Sequence, residues 1–209
     1  MTNMRLAYAH LNLRWNPFGV ISIEDAPQLA VVEVEEFVDR LQRPGFALQF
    51  LGEPGRGKTT HLLALREYFP QAPYLHFREK AEIPQAPLLF LDDTQWLPAS
   101  LRKRIFSRQS SFVIGTLIDH SKELIKAGMQ HTSVCLKGVT VDHLGLIIKR
   151  RIEWARRGPG PVPGVPESEI TRLIQEYNGD TRAILSRLYE EFQALEGITD
   201  VKISIAGSV

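Results

Sequence analysis

The 209-residue sequence has little cysteine, no long apolar run and almost no net charge. Its single cysteine, Cys135, excludes a disulfide bond within the chain. No run of 18 apolar residues occurs, which excludes a membrane-spanning helix, and the first 13 residues contain no apolar stretch of signal-peptide length. The 25 Lys and Arg residues against 24 Asp and Glu residues leave a net charge of +1, so no overall field attracts DNA or an anionic membrane. These absences predict a soluble cytoplasmic protein without membrane insertion.

Short apolar runs alternate with helical patterns over the first two thirds of the chain. The runs lack strict alternation and stop at Gly, Pro or acidic residues, which is typical of buried strands in a parallel sheet. Alternating strands and helices indicate an α/β fold with a five-stranded, mainly parallel sheet. The predicted strands cover residues 46–51, 74–77, 88–91, 111–115 and 133–136. The predicted helices cover about residues 26–43, 61–69 and 121–127.

From Thr140 onward the pattern is helical throughout. Thr140 is expected to cap a helix over 141–157, and a loop with four prolines over 158–166 separates it from the next one. Two more helices are predicted over about 167–177 and 181–195. We therefore expect two domains, an α/β nucleotide-binding domain over residues 1–139 and a small three-helix lid over residues 140–209.

A glycine-rich segment between the first predicted strand and the next helix carries the strongest chemical signal. It matches the phosphate-binding pattern of Gly, four residues, Gly-Lys and Ser or Thr. Such a loop wraps its backbone N–H groups around phosphate oxygens, and the helix N-terminus adds positive partial charge. Lys58 is expected to reach the β- and γ-phosphates, and the Thr59 hydroxyl to bind Mg²⁺. The predicted nucleotide-binding residues are Gly52, Glu53, Pro54, Gly55, Arg56, Gly57, Lys58, Thr59 and Thr60.

A second signal is the apolar run 88–91, which ends in two carboxylates, Asp92 and Asp93. In a parallel sheet, an acid at the same edge of a strand neighbouring the phosphate loop lies beside the Mg²⁺. Asp92 is then the metal partner, and Asp93 polarises the attacking water if its side chain reaches far enough. The plain alternative is a turn that ends a strand.

These motifs together resemble AAA+ P-loop ATPases, in particular small bacterial members that begin with an Asn-Pro-Phe segment and act in transposition or secretion. The resemblance rests on Asn16-Pro17-Phe18, the phosphate loop, the Asp92-Asp93 strand and Gly179-Asp180-Thr181-Arg182. It implies that ATP or ADP binds with Mg²⁺ between the two parts of the chain.

The same resemblance implies three further roles. Thr116 would orient the water near the γ-phosphate, Arg182 would report the nucleotide to the lid, and Phe18 would lie near the adenine. Each residue also has a plain structural alternative. Thr116 could cap a turn, Arg182 could be a solvated first-turn arginine, and Phe18 could be a core aromatic.

The resemblance implies a Mg-dependent ATPase that couples its nucleotide state to lid movement and partner binding. Asp93 is one methylene shorter than the glutamate common in the family, and the segment 126–131 lacks the arginine that many relatives insert into a neighbouring subunit. These departures favour an alternative, a nucleotide-gated scaffold with little or no hydrolysis that binds a protein partner. A small phosphotransferase is a further alternative, and a homo-oligomer stays open.

Two basic clusters occur in the otherwise balanced chain, at residues 102–108 and 149–157. They are consistent with a DNA-facing surface, with an arginine supplied to a neighbouring subunit, or with solvated helix faces. The six histidines have no metal-ligand spacing, so no zinc site is predicted.

Overall fold

The computed structural model describes residues 7–77 and 82–203. These residues form two compact units, one within Ile23–Lys137 and the other within Met1–Ser22 and Gly138–Val209. The first unit contains the sheet and the second contains the C-terminal helices. No helix among the described residues is long and apolar enough to cross a membrane.

Within its described residues, 23–77 and 82–137, the first unit has five strands, and every pairing among them is parallel. This arrangement confirms the predicted α/β sheet. The strand order is β2-β3-β4-β1-β5, so β1 lies between β4 and β5. The strands are β1 (Phe46–Leu51), β2 (Tyr74–His76), β3 (Leu88–Asp92), β4 (Ser111–Thr116) and β5 (Gln130–Cys135).

In the described part of this unit five helices accompany the sheet, and the first two replace one longer predicted helix. The predicted helix over 26–43 is wrong, because α1 ends at Leu29, where Ala30 is extended, and the backbone becomes helical again only from Glu35. The β-branched residues Val31, Val32 and Val34 lose side-chain freedom in a helix, which disfavours a continuous helix here. The helices are α1 (Ala26–Leu29), α2 (Val38–Leu41), α3 (Lys58–Arg66), α4 (Ala99–Phe106) and α5 (Ser121–Lys126), with short 3₁₀ turns at Glu35–Phe37 and Thr94–Trp96.

The sheet buries both faces, because successive side chains of its strands point to opposite sides. On β1, Leu48 and Phe50 pack into the core that contains α2 and α3, whereas Ala47 packs into the core that contains α4 and α5. This two-sided burial explains why β3 and β4 are nearly continuous apolar runs in the sequence, whereas β5, at the edge of the sheet, is polar and partly exposed. It also leaves the carboxyl ends of the strands as the edge at which polar residues gather.

The second unit contains α6 (Val141–Ala155), α7 (Glu167–Glu176) and α8 (Thr181–Gln193). The Thr140 hydroxyl accepts a hydrogen bond from the backbone N–H of His143, which confirms Thr140 as the N-cap of α6. Leu11, Leu13 and Phe18 are buried in the core of this helical unit. The N-terminal segment up to Ser22 therefore groups with the helices, whereas the sequence placed it with the sheet, because its apolar side chains complete the helical core.

Candidate phosphate and metal site

The phosphate loop connects β1 to α3, as the motif requires. Gly57 is the N-cap of α3 and has a left-handed backbone with φ of 85°, a conformation that side chains other than glycine rarely adopt. It provides no side chain to cap the helix. The amides of the first turn of a helix have no intrahelical acceptor, so this end of α3 is suited to receive an anion.

Lys58 is the first residue of α3, and its side chain turns back into the loop. Its Nζ donates to the carbonyl oxygens of Gly52 and Glu53, at 2.7 and 2.9 Å. The residue is only 8% exposed although it is a lysine. The loop thus encloses the buried ammonium group of Lys58, and this group can neutralise a phosphate.

The Thr59 hydroxyl donates to Oδ2 of Asp92 at 2.6 Å, which brings the two predicted metal ligands together. The sequence placed Asp92 on a strand adjacent to β1, but β4 lies between β1 and β3. The contact across β4 depends on Gly115, because a Cβ at that position would lie 2.4 Å from Oδ1 of Asp92. The missing side chain therefore makes room for the carboxylate.

Asp92 is fully buried, and three donors compensate its carboxylate. Besides Thr59, the Tyr74 hydroxyl donates to Oδ2 at 2.9 Å, and the backbone N–H of Asp93 donates to Oδ1 at 3.0 Å. Burial raises the pKa of Tyr74, and the negative charge of Asp92 raises it further, so the phenol remains a donor. Asp92 is thereby held in one orientation.

Asp93 has a left-handed backbone with φ of 57°, which aspartate tolerates better than most residues. One carboxylate oxygen lies 3.0 Å from Nε2 of His76, at the end of β2. The other accepts from the side-chain amide of Gln95 at 2.9 Å. The side-chain oxygen Oε1 of Gln95 accepts from the backbone N–H of Leu117 at 3.2 Å, so Gln95 links Asp93 to the segment after β4.

Thr116 ends β4 and is fully buried. Its hydroxyl donates to the carbonyl oxygen of Ile118 at 3.0 Å and lies 3.2 Å from Nε2 of His120. The same nitrogen of His120 lies 3.0 Å from the Thr94 hydroxyl. His120 therefore links Thr94, which follows Asp93, to Thr116 at the end of β4. Burial lowers its pKa, and the positive charge of Arg102 lowers it further, which favours the neutral imidazole.

The other predicted residues of the loop surround Lys58 in the chain. Arg56 lies 3.8 Å from the carboxylate of Glu53, a pair of little energetic weight because the glutamate side chain is exposed. Gly55 has a φ of 75°. Pro54 and Thr60 complete the predicted set, Thr60 in the first turn of α3. Their contacts with a nucleotide stay predictions.

Two predicted site residues belong to the helical unit. Phe18 is 5% exposed and packs edge to face against Phe192, with ring centroids 4.8 Å apart. Arg182 is exposed in the first turn of α8, after the N-cap Asp180. The structure accordingly gives Phe18 a core position, and the roles of Phe18 and Arg182 toward a nucleotide stay predictions.

Five residues at the site were not predicted as site residues. Gly115 could have been identified from the sequence, because an isolated glycine in a strand pattern indicates a close approach of another group. The polar ends of Tyr74 and His76 became part of the site only through the pairing of β2 with β3, which the sequence does not reveal. Gln95 and His120 lie in connections after strands, where no periodicity marks their partners.

The Thr59 hydroxyl and the Asp92 carboxylate are oxygen donors, which Mg²⁺ prefers, and their direct contact shows that both reach one point. These residues therefore fit a magnesium ion shared with phosphate oxygens. Among residues 7–77 and 82–203, no group of three or more His, Cys, Asp and Glu side chains forms another metal cluster.

No protein-family model and no curated protein matches the chain. Its fold is similar to domain III of the replication initiation protein DnaA from Thermotoga maritima, over 80% of this chain and 87% of that one, with a TM-score of 0.56 and 14% identity. It is also similar to a mutant of Thermotoga maritima RuvB, over 87% of this chain and 66% of that one, with a TM-score of 0.58 and 15% identity. A further Thermotoga maritima RuvB structure, described as a Holliday junction branch migration motor, has a TM-score of 0.54 and 15% identity over 85% of this chain and 64% of that one.

This chain therefore spans slightly less than two thirds of the RuvB chains. At these identities the comparisons establish the fold. The predicted α/β fold with a five-stranded parallel sheet is confirmed.

Proposed function

We propose that the chain is an AAA+-type protein that binds ATP or ADP with Mg²⁺ and hydrolyses ATP slowly. The hydrogen bond of 2.6 Å between Thr59 and Asp92 carries the proposal, because it joins the phosphate loop to the acidic strand end in one site. An ordinary strand-to-helix turn would not require a buried carboxylate at that point. The similar folds of DnaA domain III and RuvB support the same class.

The loop amides and Lys58 would bind the phosphates and neutralise the charge that develops on the transferred phosphoryl group. Thr59 and Asp92 would hold Mg²⁺, which when bound neutralises phosphate charge and orients its oxygens. Tyr74 would keep Asp92 oriented by the hydrogen bond at 2.9 Å. Lys58, Thr59 and Asp92 lie at the carboxyl edge of the sheet, and the Tyr74 hydroxyl reaches Asp92 from the first residue of β2.

Asp93 would accept a proton from an attacking water. Its two carboxylate oxygens also contact His76 and Gln95, at 3.0 and 2.9 Å, so these contacts compete with a water. We therefore expect slow turnover. The same contacts favour the second candidate function, a nucleotide-gated scaffold without significant hydrolysis.

The proposal extends to the second unit in one respect. Arg182, exposed in the first turn of α8, is proposed to respond to the nucleotide and so to couple its state to a protein partner. Arg182→Ala should then change nucleotide affinity or turnover, whereas Arg172→Ala, on α7 in the same unit, should not. Equal behaviour of the two variants would remove Arg182 from the mechanism.

Phosphate release from Mg·ATP, measured over a range of protein concentrations, tests the proposed activity. The ATPase predicts turnover that disappears in Lys58→Ala, and a rise per subunit with concentration would indicate assembly. The scaffold predicts nucleotide binding without turnover. Absence of both binding and turnover would contradict the two functions together.

A further inference from the structure

Two tryptophans that are distant in sequence lie together on the helical unit. The N-terminal segment pairs with the end of α6 in an antiparallel bridge between Leu13 and Arg156. The backbone N–H of Arg14 donates to Ala155 at 2.8 Å, and that of Arg157 donates to Asn12 at 2.9 Å. This pairing places residue 15 beside the last turn of α6.

The rings of Trp15 and Trp154 meet edge to face, with centroids 5.0 Å apart and an interplanar angle of 67°. The guanidinium carbon of Arg14 lies 6.0 Å from the centroid of Trp15, a cation–π distance. Trp15 is nevertheless 39% exposed. The exposed ring of Trp15 therefore lies against a second aromatic ring and beside a cation on the surface of the helical unit.

Positive charge is concentrated around this aromatic pair. Residues 149–157 contain five basic residues and one acidic residue, Glu153. Glu153 pairs with Arg156 at 2.7 Å and also interacts with the charge of Lys149. Arg14 and Arg157 are exposed, and among residues 7–77 and 82–203 no carboxylate forms an ion pair with either of them. Arg150, one turn before Trp154, is also exposed.

We propose that this basic aromatic surface, formed by Arg14, Trp15, Arg150, Trp154 and Arg157, binds single-stranded nucleic acid. Arginines bind the phosphate backbone, and the exposed indole of Trp15, backed by the half-buried Trp154, can stack on an unpaired base, which is the combination that single strands require. A duplex hides the faces of its bases, so it would use the arginines alone. An acidic peptide would likewise leave the indoles without a stacking partner.

The proposal is independent of the phosphate loop and of nucleotide hydrolysis. It can therefore be tested with the full chain in the absence of nucleotide, and Lys58→Ala should bind nucleic acid as the unchanged protein does. Failure of the phosphate loop to bind ATP would not affect this result. Loss of nucleic-acid binding would in turn leave the nucleotide site untouched.

The test measures fluorescence anisotropy of labelled oligothymidylate DNA and oligouridylate RNA of about 20 nucleotides, longer than the ~4–16 nucleotides of a typical single-strand site. We expect binding to a single strand that is tighter than binding to a duplex of the same length. Trp15→Leu should weaken it about tenfold through lost stacking. Replacing Arg14 and Arg157 by Gln should reduce the slope of log affinity against log salt by about 1.4, since each phosphate contact contributes ~0.7.

Matched variants remove comparable groups elsewhere. Trp96→Leu removes a tryptophan that is 65% exposed on the sheet unit, and Lys202→Gln removes an exposed charge from the helical unit. Both should bind as the unchanged protein does, and thermal melting checks that every variant is folded. Whichever strand binds more tightly, DNA or RNA, identifies the kind of nucleic acid that the surface binds.

Three results would overturn the proposal. The first is no binding of either single strand, and the second is equal losses in Trp15→Leu and Trp96→Leu. The third is displacement of the single strand by polyglutamate as effectively as by unlabelled oligonucleotide, because a surface that recognises only negative charge would not need its indoles.

Discussion

The hydroxyl of Thr59 donates to Oδ2 of Asp92 at 2.6 Å, although β4 separates the strands that lead to these two residues. This hydrogen bond connects the start of α3 to the end of β3. It is made within a buried environment, with Asp92 fully inaccessible to solvent. Since a hydrogen bond to a buried carboxylate is among the stronger ones, this contact fixes the phosphate loop against the acidic strand end.

Removing either partner should abolish the effect of Mg²⁺ on nucleotide affinity. Thr59→Val keeps the shape of the side chain but lacks the hydroxyl, and Thr59→Ser retains it. We expect a fluorescent ATP analogue to bind the unchanged protein and Thr59→Ser more tightly with Mg²⁺ than with EDTA. In Thr59→Val and Asp92→Asn, the affinities with Mg²⁺ and with EDTA should be alike. An undiminished effect of Mg²⁺ in Thr59→Val would show that Thr59 is no metal ligand.

Gly115→Ala should destabilise the sheet unit, because its Cβ would meet Oδ1 of Asp92 at 2.4 Å. Overpacking of this kind costs roughly 1–3 kcal/mol, measured by urea unfolding. Gly145→Ala on α6 is the control, because its Cβ would meet only Ile170, at 3.7 Å. In an Asp92→Ala background the cost of Gly115→Ala should largely disappear, and an equal cost in both backgrounds would place the strain elsewhere.

Much of this candidate site could be predicted from the sequence, because the phosphate-binding pattern specifies residue types and their spacing. The loop from Gly52 to Thr59 and the acid Asp92 could be identified from their positions after apolar strands. The sequence does not give the order of strands in the sheet, so it could not show that β4 lies between them. Gly115 is the residue that adapts the fold to that order.

The predicted helix over 26–43 failed for a different reason. Apolar spacing in that segment is compatible with a helix, but Val31, Val32 and Val34 disfavour a continuous one. Likewise, Leu11, Leu13 and Phe18 are apolar in the sequence without any sign of which core they enter. Which core accepts a segment depends on packing against residues far along the chain, and local patterns contain no such information.

Asp93→Asn should lower ATP turnover at least tenfold while leaving ATP affinity unchanged, because the amide cannot accept the proton of a water. Asparagine tolerates the left-handed backbone at this position, so the turn should persist. Single-turnover phosphate release together with equilibrium binding separates the two quantities. Unchanged turnover would reject Asp93 as the base and favour the scaffold function.

His120 should make stability depend on pH. Burial lowers the pKa of His120 below its ordinary 6.5, so the unfolded chain takes up a proton before the folded one does as the pH falls. Its contribution to stability is present above about pH 6.5 and is lost as the pH falls below that value. Urea midpoints between about pH 7.5 and 5 should therefore fall less steeply in His120→Asn. Parallel curves for the two proteins would show that His120 does not titrate in this way.

If the segment 52–59 binds the phosphates of a nucleotide, the affinity for Mg·ATP should depend on Lys58. Isothermal titration with Mg·ATP should give saturable binding at one site in the unchanged protein and in Lys103→Ala, which removes a lysine from α4. Lys58→Ala, which removes the ammonium held 2.7 Å from Gly52, should bind at least tenfold more weakly. Equal affinity of Lys58→Ala and the unchanged protein for Mg·ATP would contradict the account.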